Sequence, residues 1–264
     1  MKRKTTLDFD ELNELDELRQ VEKQVKKAKK SGTPIPIPYR DYFGKMYIEP
    51  EEMESRIDLA KQIENVMLYV FAYWLVASDA GLPKDEVRAD AKEKLRSVIA
   101  KRTKIDSYLE KHINKLIDEV IDTTEKHTRK KEDEDEESDI EEFMREFDVA
   151  NASPSSLVKE LSGESENGYW TSRDRAMLIS ESEANAFENY VAYRDAKAQG
   201  KTRKVWLTEL DDKVRMTHTL VEGKTVDIDG LFLVGDSLMR FPMDAEYDPD
   251  PSEVVNCRCV CKYE

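Results

Sequence analysis

The chain has 264 residues, 39 % apolar and 38 % charged, with a net charge of −15, whereas soluble domains average roughly 45–50 % apolar and about 25 % charged. That balance excludes one large apolar core and favours two modest domains with exposed, charged helices. Only 9 Gly and 9 Pro exclude a collagen-like or wholly disordered chain, and with all three cysteines in the last eight residues no disulfide framework can span the molecule.

No apolar stretch follows the basic start Met1-Lys2-Arg3-Lys4, so no secretory signal is expected. The longest apolar run, Val66 to Ala77, is short of the ~20 residues a membrane span requires. A soluble, intracellular-type protein without a membrane partner is the expectation. The charge is uneven: Lys131 to Asp148 carries 11 acidic and 2 basic residues, over half of the net excess. Such a run repels nucleic acid and disfavours a sequence-specific DNA reader.

Leu7 to Lys30 reads as an exposed helix, with Leu18, Val21, Val25 and Ala28 forming a narrow apolar stripe. Its basic end, Lys23, Lys26, Lys27, Lys29 and Lys30, is either a solvated face or a candidate DNA-contacting arm. Pro34-Ile35-Pro36-Ile37-Pro38 must be extended, because each proline drives its predecessor out of the helical region. Pro50, followed by Glu51, Glu52 and Glu54, opens a helix to about Ser78 that becomes apolar on all sides from Val66. Pro83 opens a third helix through Val87, Ala91, Leu95, Val98 and Ile99. A fourth aligns Ile105, Leu109, Ile113, Leu116, Ile117, Val120 and Ile121. Within it His112 and His127 have no sequence neighbours at ligand spacing and read as solvated or capping.

Glu132-Asp133-Glu134-Asp135-Glu136-Glu137 lacks the alternating ligands and central glycine of a calcium loop, and reads as a mobile linker. A short helix follows near Ser155–Leu161. A long helix from about Thr171 to Gln199, with Ala176, Ile179, Ala186, Phe187, Tyr190, Val191 and Arg194 on its periodic face, ends at Gly200. Beyond Lys204 the pattern turns strand-like at Val205–Leu207, Leu231–Val234 and Val254–Val260, with turns at Gly223 and Gly230. The fold class is therefore α+β. An elongated helical region (1–130) and an acidic linker (131–150) precede a small α+β domain (151–264) built from a long helix and short antiparallel strands.

Asp211, Arg215 and His218, spaced i, i+4, i+7, would share a helical face. They serve either as a polar lock or as the centre of a hydrolase or nuclease. Cys257, Cys259 and Cys261 would lie on one face of a strand. With His218 they could form a Cys₃His zinc site, but a straight CxCxC lacks the turn that wraps an ion. Small buried thiols, with no metal and no cofactor, are the expectation; a redox pair or a Cys–His nucleophile stays open.

The ordered string Lys204-Val205-Trp206, Asp211, Val214-Arg215, Thr217-His218, Gly223, Phe232, Pro242 and Asn256-Cys257-Arg258-Cys259 resembles the head-morphogenesis domain of tailed bacteriophages, the Mu F-like minor head proteins. Thr171 to Gly200, with Arg175, Glu181 and Asn185, resembles the helix that precedes the motif in that family. The resemblance covers Trp170 to Cys261. It implies a non-enzymatic minor structural protein of the phage head, located in the head interior or at the portal vertex and in the host cytoplasm during assembly. Its implied partners are the portal protein and capsid or scaffold proteins, with phage DNA as a further candidate, and its implied roles are head assembly, DNA packaging or DNA ejection. The alternatives are a DNA-binding, ejection-guiding protein and a hydrolase using Asp211, Arg215 and His218. Some members of the family continue into a toxin or enzyme after the NCRC motif. Only Val260 to Glu264 follow here, which argues against such an extension.

Overall fold

The computed structural model describes residues 39–44, 46–79, 84–128, 168–211 and 213–264. The expected Leu7–Lys30 helix with its basic arm, the proline spacer, the acidic linker and the Ser155–Leu161 helix lie outside these residues.

The chain is α+β, as its patterning required. The helices are α1 (Arg40–Phe43), α2 (Pro50–Asp79), α3 (Lys84–Ala100), α4 (Ser107–Thr128), α5 (Arg173–Ala198), α6 (Met216–Thr219) and α7 (Pro251–Val254); the strands are β1 (Arg203–Leu207), β2 (Thr225–Asp227), β3 (Phe232–Val234), β4 (Ser237–Met239) and β5 (Val260–Tyr263). Proline at the first position of α2 and acidic residues in its first turn suit the unpaired amides and positive dipole end there. Gly200, at φ +77, supplies the left-handed conformation that ends α5. No described helix is long and apolar enough to cross a membrane.

Two compact units are assembled from interleaved stretches of chain. Among the described residues, one takes those within Glu64–Ser97 and Ile113–Ala176; the other takes those within Pro38–Ile63, Val98–His112 and Met177–Glu264. The expected contiguous division, 1–130 against 151–264, does not coincide with this one, since α2 and α4 each contribute to both units.

In the first unit the buried residues are the periodic ones: Val66, Met67, Leu68, Val70 and Phe71 of α2, Val87, Ala91 and Leu95 of α3, and Ile113, Leu116, Ile117, Val120 and Ile121 of α4. Arg175 is buried among them, donating to Thr124 Oγ1 at 2.7 Å and lying over the Phe71 and Trp170 rings. His127 stacks flat on Trp170 at 3.7 Å, rather than standing in solvent.

In the second unit β1 is the central strand of an antiparallel sheet ordered β2-β1-β5, with Lys204 opposite Val226 and Trp206 opposite Cys261. A separate hairpin pairs β3 with β4, and Gly235, at φ +58, takes the first position of its two-residue turn. Trp206, Phe232, Val234, Met239, Met243, Val221, Ala186, Cys257 and Cys259 form one apolar core. The expected last strand, Val254–Val260, is corrected. Asp250 accepts from Ser252 N at 2.8 Å and starts the short helix α7 there, Asn256 adopts φ +56, and the strand begins only at Val260. The polar capping of Asp250-Pro251-Ser252 outweighs the alternation that suggested a strand.

Candidate functional site

The family-like residues converge within the second unit. Trp206, fully buried on β1, packs edge-on against His218 at 5.8 Å and against Phe232 at 5.2 Å. Gly223, at φ +68, closes the chain back onto β1, its amide donating to Trp206 O at 2.9 Å.

His218 is the buried residue of α6, at 2 % exposure. Its Nδ1 faces Cys259 Sγ at 3.3 Å and Cys257 Sγ at 3.6 Å, and its Nε2 lies 3.1 Å from Glu253 Oε2. Glu253 Oε2 also accepts from Thr217 Oγ1 at 2.8 Å. Both thiols are buried, at 2 % and 4 % exposure. His218, Cys257 and Cys259 are the group, among the described residues, whose donor atoms stand close enough to share a metal ion, all within 4.8 Å. Cys261 is outside that group, and the expectation of one straight strand carrying all three thiols is corrected: Cys257 and Cys259 follow the turn at Val255–Asn256 and meet His218, while Cys261 lies on β5 and packs against the same core.

The electrostatics are those of a polarised cluster. A hydrogen bond with Cys259 is the largest influence on the Cys257 thiol, and with His218 it overcomes burial and draws the thiol down to about 5. The same bond pushes Cys259 up. Burial works against the charged form of His218, but contact with Cys257 and the Glu253 carboxylate prevail and raise it.

A second polar layer holds the cysteine loop to α5. The Asn185 amide donates to Cys257 O at 2.8 Å, and the Asn189 amide donates to Cys259 O at 3.1 Å and Pro242 O at 3.2 Å. Tyr42 Oη donates to Cys257 O at 2.7 Å. Buried Arg56 donates to Asn185 Oδ1 at 2.5 Å and Asn189 Oδ1 at 3.3 Å. This layer was not foreseen: Asn185 was singled out only by resemblance, and Asn189, Arg56 and Tyr42 not at all. Asparagines four residues apart on a helix with few large apolar residues are the signal that was present.

Asp211, Arg215 and His218 do not share a helical face, because α6 is only four residues long and begins after Arg215. Asp211 accepts from Arg258 at 2.8 and 2.9 Å, and Arg215 donates to Val255 O. The expected triad is thereby corrected to three separate attachments to the Glu253–Cys259 segment. Asn256, exposed, donates its backbone amide to Ser182 Oγ at 3.3 Å. His112 has a carboxylate partner after all, Glu183 Oε2 at 2.7 Å, supplied by α5 where sequence spacing could not show it. Lys23, Lys26, Lys27, Lys29 and Lys30 lie outside the described residues.

No family profile matches the chain, and no solved structure does. Among curated proteins it is similar to the NAD(+)–arginine ADP-ribosyltransferase EFV of Enterococcus faecalis, 30 % identical over 112 residues. The match covers 41 % of this chain and 22 % of that protein, so the chain spans about a fifth of its relative's length. The similar protein is named for an enzymatic activity, and this overturns the expectation that the chain is not an enzyme.

Proposed function

We propose that the chain carries a head-morphogenesis module of the Mu F-like kind and acts as a minor head protein of a tailed bacteriophage, associated with the portal. One observation supports this reading above the others. Several of the residues that carry the resemblance, scattered from Asn185 to Cys259, form one buried assembly: Trp206, His218, Cys257 and Cys259 in contact, with Asn185 and its neighbour Asn189 bonded to the cysteine carbonyls. A motif whose buried members share one core is a module that can be carried into longer chains. Similarity to about a fifth of a larger enzyme agrees with that. Co-purification with the portal protein from infected lysate tests the proposal: the chain is expected in procapsids, and its absence from both portal and procapsid fractions would overturn it.

A second reading follows from the same relative, whose name specifies transfer from NAD(+) to arginine. His218, Cys257 and Cys259 are too buried to meet a dinucleotide, so that chemistry would fall to other residues. Incubation of the full chain with labelled NAD(+) and an arginine acceptor decides it, label on the acceptor being the positive result.

A further inference from the structure

We infer that His218, Cys257 and Cys259 form a zinc site, with Glu253 as the carboxylate that orients the histidine. The inference is independent of the phage reading and rests on geometry. A tetrahedral zinc with Zn–S bonds of about 2.3 Å and Zn–N bonds of about 2.0–2.1 Å sets each sulfur about 3.6 Å from the nitrogen. His218 Nδ1 stands 3.3 and 3.6 Å from the two sulfurs.

With the His218 Nε2 proton directed to Glu253 at 3.1 Å, the neutral ring presents its one Nδ1 lone pair to both sulfurs. A cation between the three atoms uses that lone pair and both sulfurs together. A zinc-ligating histidine usually gives its other ring N–H to a carboxylate, which fixes the tautomer and strengthens the ligand. Glu253 occupies that place, itself held by Thr217 Oγ1 at 2.8 Å. Charge agrees with burial: two thiolates neutralise a divalent ion, so the ion and its three ligands carry no net charge. Two sulfurs and an imidazole select zinc over the hard cations magnesium and calcium. The three donors leave one coordination position for a water or an outside donor.

The ion would clamp the turn at Val255–Asn256, where Asn256 takes φ +56, to α6. Two elements of four residues each, α6 and α7, are too short to be stable alone, and the Glu253–His218 contact ties them together.

The test is the metal content of the full chain, purified under reducing conditions without chelator, and its absorption after exchange into cobalt(II). Near-stoichiometric zinc and a thiolate-to-cobalt charge-transfer band are expected. Cys257→Ser and Cys259→Ser should each lose the metal, while Cys261→Ser keeps it. Glu253→Gln should retain the site with affinity weakened about 10–100-fold in a chelator competition. Zinc-free protein that gives no thiolate–cobalt band overturns the inference. So does metal retained by both ligand variants, or a Cys257–Cys259 disulfide found by mass in place of the ion. Should the serine variants fail to fold, the cobalt spectrum of the unaltered chain and the Glu253→Gln competition decide alone.

Discussion

Lys204 is fully buried on β1, its ammonium donating to Ile228 O at 2.6 Å and lying over the Tyr193 and Phe232 rings. Burial is the main cause that brings it down to about 8. The unfolded chain, with an ordinary lysine near 10.4, binds more protons than the folded one between these values. Stability should therefore rise as pH increases from about 8 to about 10.4 through this residue. Chemical denaturation across that range should show the rise in the native chain and a flatter profile in Lys204→Met; parallel profiles would show that the ammonium is not buried in the folded state. Trp206 gives a simpler expectation. Trp206→Ala removes the largest fully buried side chain of the second unit, and such truncations cost about 3–5 kcal/mol. A loss under about 1 kcal/mol, below the range for large core truncations, would show that the indole is not the core's anchor.

Between elements, the hairpin turn and the cysteine loop depend on one another. A Cβ on Gly235 would come 2.6 Å from Glu253 Oε1, and the residue holds φ +58. Gly223 has a similar φ, +68, with open space around it. Gly223→Ala should therefore carry only the conformational cost, about 1 kcal/mol. Gly235→Ala should cost clearly more and also disturb the Glu253–His218 contact. Equal losses in denaturant midpoint would refute the steric coupling. Asn185→Ala removes one of two side-chain partners from both the Arg56 guanidinium, which keeps Asn189, and Cys257 O, which keeps Tyr42, at about 0.5–1.5 kcal/mol for each lost bond.

These elements also mark how much was legible beforehand. The helix α2 could be read almost to the residue, since its opening proline and acidic first turn act locally, and recurring Leu, Ile and Val revealed α4, though not its first residue. The Asp250–Cys259 segment could not, because alternation and capping gave opposite local signals and the Asp250 cap prevailed. Trp206, His218, Cys257 and Cys259 were identified as important residues, but their meeting depends on a reversal of chain at Asn256 that spacing alone does not encode.

At the scale of the molecule, two expectations concern its ends and its division. If the basic arm binds DNA, affinity should fall steeply with salt as condensed counterions are released. Neutralising Lys26, Lys27, Lys29 and Lys30 should abolish it; binding that survives places the contact elsewhere.

The interleaving of the two units makes the last expectation. Sequence composition divides the chain at the acidic run, which would leave 151–264 as an independent domain. Yet the unit that contains Met177–Glu264 also takes Pro38–Ile63 and Val98–His112. Those two stretches supply Arg56 to Asn185 and Asn189, Tyr42 to Cys257 O, and Tyr108 to buried Asp244 at 3.2 Å. They also bring the Asp106 carboxylate to Tyr190, and Ile57, Leu59 and Ile99 as buried apolar residues. A fragment 151–264 loses all of these at once. It is left with asparagines lacking their guanidinium and with an apolar face of α5 uncovered. Since folded domains exceed unfolding by only about 5–15 kcal/mol, several losses of about 1–3 kcal/mol each are enough to unfold it. The fragment should show weak amide protection and broad or absent side-chain dispersion by NMR, whereas a fragment that begins at residue 38 should be folded. A well-dispersed, cooperatively melting 151–264 would demonstrate that the cysteine module is self-sufficient and that the segments from α1 to α4 are accessories to it.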